Sequence, residues 1–152
     1  MKNNNSLFYT CSLIEYVGRN LRQERSFVVS SLGKDFVTRI YKDADVLHCE
    51  PIEKIANEII EMKSLTNGSF DNIASCRYEV PDYWTIGEVY ERLIEDICGD
   101  NESIDFITET LWNVYNSWIS KAISNYNTDF FYQSRQYIYE CWKAGEIIQD
   151  AG

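Results

Sequence analysis

The sequence predicts an all-α protein, a single-domain orthogonal bundle of six or seven helices. Apolar residues recur at spacings of three and four along most of the 152 residues, which is the period of amphipathic helices. One segment, at about residues 70–82, alternates partially instead and predicts an irregular loop or a short strand. An apolar content of 45% suits a folded chain, so we expect one domain over residues 1–152, with residues 1–5 disordered.

The first third of the chain predicts three helices. Ser6 can cap the first helix, whose apolar stripe runs from Leu7 to Leu21. Ser26 can cap a short second helix that ends at Gly33, because glycine commonly follows the last helical residue. The segment "KDFVTRIYKDADV" then predicts the third helix.

The next feature is a corner that holds His48, the one histidine of the chain. A fourth helix is predicted to begin at Pro51, and the residue before a proline avoids the helical region. We therefore expect an extended corner in which His48 is a structural residue. The alternative is an enzyme centred on His48, with Tyr41 or Asp45 beside it. The inward stripe of the fourth helix is predicted to be Ile52, Ile55, Ala56, Ile59 and Met62.

Three more helices are predicted after the irregular segment. Pro81 and Thr85 prepare the fifth helix, and Gly99 ends it. Ser103 can cap a long sixth helix that reaches about Asn125. A last helix, "SRQYIYECWKA", ends at Gly145 and is followed by a docked or frayed tail. Residues of the sixth helix that are predicted to pack inward are Phe106, Ile107, Leu111, Val114, Trp118 and Ala122.

Charge is distributed unevenly along the chain. The net charge is −10, yet residues 1–42 carry +4 and residues 79–110 carry −9. Internal neutralisation together with solubility explains this pattern without a partner. A polarised surface for a charged partner explains it functionally, and both interpretations stay open.

Two surfaces are candidates for binding a protein partner. The outer face of the fifth helix is acidic, and on a solvated face its paired carboxylates would stay ionised. Such a face can bind a basic surface, with steering that is fast and salt-dependent. The C-terminal helices are rich in Tyr and Trp, which are enriched at interface hot spots. The candidate residues are Glu88, Glu91, Glu95, Asp96, Trp118 and Tyr126.

The basic N-terminal region provides an alternative function, that of a DNA-binding regulator. Arg19, Arg22 and Arg25 are three residues apart, so on a continuous helix they would share one edge. The net charge of −10 opposes phosphate binding at long range, and we therefore do not expect nucleic acid as the partner.

Motifs for cofactors, metals and nucleophilic catalysis do not occur in the sequence. There is no GxGxxG, GxxxxGK[ST], GxSxG, HExxH or EF-hand pattern, and the five cysteines form no CxxC pair. We predict no cofactor, no metal and no catalytic residue. There is no long apolar run and no signal-peptide pattern, so we expect no membrane contact. Scattered free thiols suit a reducing cytoplasm.

The segment "LGKDFVTRIYKDADVLHCEPIEKIANEII", about residues 32–60, resembles a group of small helical bacterial proteins of unknown function. Genes for that group often lie beside genes for ADP-ribosyltransferase-like toxins. The resemblance covers about 29 of 152 residues and carries over no catalytic residue. It implies a cytoplasmic accessory or antitoxin-like protein. The matching residues are Tyr41, His48, Ile52, Glu53 and Glu58.

These observations together predict a non-enzymatic cytoplasmic protein-binding module of the antitoxin, immunity or defence-inhibitor type, from a bacterium or a phage. It would use the acidic helix face or the aromatic C-terminal helices. The expected partner is a protein with a basic surface, and a homodimer is a further alternative.

Overall fold

The computed structural model describes residues 4–149. These residues form eight α-helices and one 3-10 turn, and no strand occurs among them. The all-α prediction is therefore confirmed, whereas the orthogonal arrangement stays a prediction. The bounds are α1 Asn5–Leu21, α2 Arg25–Leu32, α3 Lys34–Leu47, α4 Ile52–Met62, α5 Tyr83–Cys98, α6 Ile104–Tyr115, α7 Trp118–Ser124 and α8 Arg135–Ala144, with the 3-10 turn at Phe130–Tyr132.

Helix α1 lies at the centre of the bundle, where it packs against α2, α3, α4 and α5. It is closest to α5, because Gly87 of α5 faces Ser12 without a side chain between the helices. A Cβ atom at Gly87 would lie 2.2 Å from Ser12 Oγ and 2.9 Å from the Ser12 backbone nitrogen. One continuous apolar core surrounds α1, and residues from all eight helices contribute to it.

The N-terminal caps differ from those predicted. Asn4, not Ser6, caps α1, and its side chain accepts a hydrogen bond of 2.9 Å from the Leu7 N–H. Asn4 and Asn5 are thus part of the helix start, which corrects the prediction that residues 1–5 are disordered, while residues 1–3 lie outside the described residues. Ser26 does not cap α2, because that helix already begins at Arg25.

Several predicted helix ends are confirmed. Helices α2, α5 and α8 end at Gly33, Gly99 and Gly145, all at positive φ. Ser103 caps α6 by accepting from the Phe106 N–H at 3.3 Å. The long sixth helix is wrong, however, since it divides after Tyr115 into α6 and α7. Ser117 caps α7, and its side chain accepts from the Ile119 N–H at 3.3 Å.

Two residues predicted to pack inward are exposed instead. Met62 is 67% exposed and Phe106 is 42% exposed. Met62 is the last residue of α4, and Phe106 lies in the first turn of α6. Among the described residues, no neighbouring element covers the apolar stripe at these two helix ends, although the period of the stripe is correct.

Residues 63–82 connect α4 to α5 as an irregular segment, so the short strand predicted at 70–82 is wrong and the loop is right. The tail after α8 is docked as far as residue 148: the Ile148 N–H donates to Cys141 Sγ at 3.4 Å, and the Tyr137 hydroxyl donates to the Ile148 carbonyl, while residues 150–152 lie outside the described residues. Within residues 4–149, no helix combines the length and apolarity that crossing a bilayer requires.

Candidate functional site

His48 lies at the corner between α3 and α4, as predicted, but the corner is not extended. The Cys49 N–H donates to the Val46 carbonyl at 3.2 Å, and the Glu50 N–H donates to the Leu47 carbonyl at 3.1 Å. Each bond joins residues three positions apart, so the end of α3 continues as tight turns. Pro51 restricts only the backbone of Glu50, and these turns can form before it.

The His48 side chain is exposed and does not line the cavity described below. Tyr41 is buried, and its hydroxyl accepts a hydrogen bond of 2.7 Å from Asn4 Nδ2, whereas Asp45 is exposed. A catalytic centre needs an enclosed and positioned base, so this arrangement does not support an enzyme at His48. Among residues 4–149, no group of His, Cys, Asp and Glu side chains is arranged to hold a metal ion.

Only part of the predicted acidic face of α5 is exposed. Glu88 is exposed and forms an ion pair of 3.0 Å with Arg92, one turn further on. Glu91 is 7% exposed, so the prediction that it belongs to a solvated face is wrong. The reason is the close approach of α1 and α5 at Gly87, which places Glu91 under the first turns of α1.

Burial changes the protonation of Glu91. Desolvation, followed by the hydrogen bond and the charge of Glu95, raises the pKa of Glu91 to about 8. Glu95 itself accepts a hydrogen bond of 2.8 Å from the Asn4 backbone N–H. The bond from the Asn4 N–H to Glu95 fixes the start of α1 against α5.

Glu95 and Asp96 are also bound internally by Arg135 of α8. The guanidinium group contacts both oxygens of Asp96, at 2.9 and 3.1 Å, and one oxygen of Glu95 at 3.4 Å. A bidentate pair of this kind fixes α8 on α5. Of the four predicted acidic residues, Glu88 is the one left at the surface.

The three arginines of the DNA-binding alternative do not share an edge. Arg19 donates to the Pro81 carbonyl and to the Tyr126 hydroxyl, the latter at 3.1 Å. Arg22 is exposed and ends α1 in the left-handed conformation, and Arg25 is 1% exposed. The predicted basic edge is wrong because α1 stops at Leu21, so the period of three does not continue through Arg25.

Arg25 instead forms a fully buried ion pair with Glu15. Arg25 Nε lies 3.1 Å from Glu15 Oε1, and Nη1 donates to the Gln23 carbonyl at 2.8 Å. Gly18 makes room for the guanidinium group, since a Cβ atom there would lie 2.5 Å from Arg25 Cδ. The nearby Glu15 carboxylate counteracts the desolvation of this cation, which a buried charge requires.

Arg25 also lies in the wall of a cavity of about 590 Å³, which we call the Arg25 cavity. The cavity lies between the start of α2, the segment from Phe70 to Ser75, and residues 115–127. Trp118 and Tyr126, predicted as partner-binding residues, line it too. The structure thus brings together residues that the sequence assigned to two different functions.

A second surface feature was not predicted from the sequence. Phe8, Trp84, Tyr83 and Tyr16 form a continuous series of touching rings, which we call the aromatic row. Successive ring centroids lie 5.4, 4.9 and 5.1 Å apart. Trp84 is 37% exposed and the other three are half-buried. In the sequence, two features could have indicated this row. Phe8 and Tyr16 are eight residues apart on α1, and Tyr83 and Trp84 are adjacent at the start of α5.

The described residues therefore form a helical bundle with the Arg25 cavity and the aromatic row as its two surface features. Comparisons of the chain with protein-family models, with curated proteins and with solved structures found no match.

Proposed function

We propose that the protein is a non-enzymatic cytoplasmic module that binds another protein, of the antitoxin, immunity or defence-inhibitor type. The observation that carries the proposal is the aromatic row. Surface Trp and Tyr side chains bury large areas at little cost in conformational entropy, and they dominate many interface hot spots. Four contacting rings on one surface exceed what an isolated exposed aromatic residue would provide.

Carboxylates at the edge of the row indicate the charge of the partner. Asp82 lies directly before Tyr83, and the hydrogen bond from the Thr85 N–H lowers the pKa of its carboxyl group. Glu53 lies close enough to Tyr16 that, after burial, its charge contributes to raising the pKa of that hydroxyl. Glu88 follows Trp84 by one helical turn. A basic partner would complement this edge.

The rings of the row also remain available to cations. Elsewhere in the described chain, basic side chains lie over aromatic rings, as Arg19 does over Tyr126 and Lys63 does over Phe36. Within residues 4–149, no lysine or arginine lies over a ring of the row in this way. Lysine or arginine side chains of the partner could therefore stack on Trp84 and Tyr83.

The same charges argue against a homodimer through this surface. A two-fold interface contains the same patch of both copies, so the acidic edge with Asp82 and Glu88 would be present twice with no basic counterpart. Like charges in a desolvated interface are costly, and a basic partner of a different sequence avoids that cost. The proposal also leaves out Tyr126, because a side chain that is 3% exposed has too little surface for a partner.

The proposal is tested by affinity capture of the tagged protein from its native host, at low and high salt, with mass spectrometry. Glu88→Lys is compared with Glu140→Lys, a matched control whose side chain is 46% exposed against 48% for Glu88. Each carboxylate is ion-paired within its own helix. Trp84→Ala is compared with Tyr132→Ala, which removes an 83% exposed aromatic residue.

We expect one stoichiometric protein that is captured by the wild type and by both controls. It should be lost at high salt and lost with Glu88→Lys and with Trp84→Ala. Equal capture by all four variants, or no partner at any salt concentration, would rule out the proposal.

A further inference from the structure

The aromatic row is an elongated surface with open ring faces. Its three ring pairs are tilted by 34, 40 and 83°, whereas the buried pair Tyr90 and Tyr115 is stacked at 13°. Phe8 and Tyr16 are eight residues apart on α1, which places them about 12 Å apart along the helix axis. A partner segment that follows the row must therefore span about this length.

The row also offers hydrogen-bond donors. Within residues 4–149, no hydrogen bond is made by the hydroxyls of Tyr16 and Tyr83 or by the indole N–H of Trp84. Neither hydroxyl is buried, and the Trp84 side chain is 37% exposed. A partner that covers the row must supply acceptors, because a donor buried without a partner is destabilising.

These donors favour a partner segment with free carbonyl groups. A helix uses its carbonyls internally, and no strand occurs among residues 4–149, so a partner strand has no sheet edge to extend. A polyproline II segment has no internal hydrogen bonds, so its carbonyls can accept from the row. Proline also brings no N–H, a group that ring faces accept only weakly.

The dimensions of the row agree with this conformation. Polyproline II advances about 9 Å per turn of three residues. Steps of 5.4 and 4.9 Å separate Phe8 from Tyr83, and steps of 4.9 and 5.1 Å separate Trp84 from Tyr16. Prolines three residues apart can therefore pack on rings that are two steps apart.

Acidic side chains lie on both sides of the row. Glu53, in the first turn of α4, is exposed, lies close enough to the Tyr16 hydroxyl for their charges to interact, and forms no ion pair within the described chain. Glu88 lies on the Trp84 side, where it pairs with Arg92 of its own helix at 3.0 Å. Arginines at the two ends of a short segment would each meet one carboxylate.

We propose that the aromatic row binds a proline-rich segment in the polyproline II conformation, with basic residues at its ends. This segment belongs to the basic partner proposed above, so the inference rests on that function. Its proline rings pack on the tilted aromatic faces, and its carbonyls accept from Tyr16, Tyr83 and Trp84. Its terminal arginines pair with Glu53 and Glu88. Binding costs little conformational entropy, because the segment is extended before it binds.

The test is isothermal titration of the full chain with a capped synthetic peptide, RPPAPPR, at low salt. We expect a Kd below about 1 mM. The peptide RGGAGGR has the same charge without the preformed conformation and should bind at least about tenfold more weakly. The peptide EPPAPPE, with the charge reversed, should not bind. Equal binding of RPPAPPR and RGGAGGR would overturn the proposal, because charge alone would then explain the binding.

Two pairs of variants locate the binding. Tyr83→Phe keeps the ring but removes the donor and should weaken peptide binding about fivefold, whereas Tyr132→Phe, at an 83% exposed position outside the row, should leave it unchanged. Glu53→Lys should weaken binding at least about fivefold, and more than Glu58→Lys, an exposed residue on another side of the same helix. Equal effects within either pair would contradict the assigned contacts.

Peptide binding and partner capture separate this inference from the function on which it rests. If the partner is captured through Trp84 and Glu88 although RPPAPPR does not bind, the polyproline II segment is ruled out and the proposed function stands. The row would then contact a folded basic surface. Absence of both peptide binding and capture would rule out both.

Discussion

The two halves of α5 differ in what their acidic residues do. In the first half, from Tyr83 to Glu88, the carboxylate is exposed and lies beside the aromatic row. In the second half, Glu91 is buried under α1, while Glu95 and Asp96 are bound by Arg135. One half presents its charge to solvent and to a partner, and the other half uses its charge to hold the bundle together.

This difference shows that acidic residues on one helix need not belong to the same surface. The residues of both halves recur at spacings of three and four, so the helix period alone assigns them a common face. Helix α1 packs along both halves, but the acidic side chains of the second half are covered by the start of α1 and by Arg135 of α8, whereas Glu88 in the first half is exposed. Substitutions of the acidic residues should therefore affect partner binding in the first half of α5 and stability in the second half.

The largest effect is expected at Gly87, which lies in the first half, directly before Glu88, on the side that faces α1. Gly87→Ala places a methyl group 2.9 Å from the backbone of Ser12, and backbone atoms cannot rotate away. We expect the free energy of unfolding to fall by about 3 kcal/mol, because α1 and α5 must separate. Chemical denaturation measures this loss. Thr85→Ala, at an exposed position of the same helix, is the control, and an equal loss there would contradict the explanation.

Glu91→Gln is expected to have the next largest effect, and it depends on pH. The pKa of Glu91 is about 8 in the folded protein against an ordinary value of 4.5. Below about pH 4.5 the carboxyl group is protonated in both states, so the wild type loses no stability. Between the two values only the folded protein holds the proton, and stability falls as the pH rises, then levels off above about pH 8.

Glutamine keeps the neutral shape of the protonated acid. At about pH 9 we therefore expect Glu91→Gln to be more stable than the wild type by about 2 kcal/mol, and at about pH 4 to be nearly equal to it. Denaturation curves at both pH values give this difference. A gap between variant and wild type that does not change with pH would show that Glu91 keeps an ordinary pKa.

Removal of the ion pairs between Arg135 and α5 should have a smaller effect. Arg135→Ala leaves Asp96 and Glu95 without their cation, and we expect a loss of about 1.5 kcal/mol. Hydrogen exchange should increase first in α8, since these ion pairs and a few apolar contacts fix it on α5. If the amides of α8 stayed as protected from exchange as in the wild type, the Arg135 ion pairs would not be what fixes this helix on α5.

The smallest effect is expected at Glu88. Glu88→Gln removes an ion pair between side chains that are both about half exposed, so stability should change by less than about 0.5 kcal/mol. Thermal denaturation checks this value. A loss above about 1 kcal/mol would place Glu88 with the structural half of α5 and would weaken its assignment to the partner surface.

The sequence predicts local features of this protein well. The all-α class, the ends at Gly33, Gly99 and Gly145, and the cap at Ser103 all follow from residues within a few positions of each other. Such signals depend on backbone conformation and on orphan groups at helix ends, which are local properties. The irregular segment between α4 and α5 was predicted for the same reason.

The candidate sites could not be predicted in this way, because they depend on which elements meet. Glu15 and Arg25 belong to two helices with a turn between them, and nothing in the basic run indicates that its last arginine is buried. The aromatic row joins Phe8 to Trp84, which are distant in the chain. Tertiary packing determines both the ion pair and the aromatic row, and helix periodicity carries no information about which helices pack together.

The arrangement of Glu15, Gly18 and Arg25 has a consequence for distant relatives of this chain. The observed position of the Arg25 side chain needs a residue 18 without a side chain, since a Cβ atom there would lie 2.5 Å from Arg25 Cδ. A glutamate, a glycine three positions later and an arginine seven positions after that should therefore be inherited as a unit. Sequences that have drifted everywhere else can be searched for this triplet, and a larger residue at the glycine position should coincide with the loss of both charges.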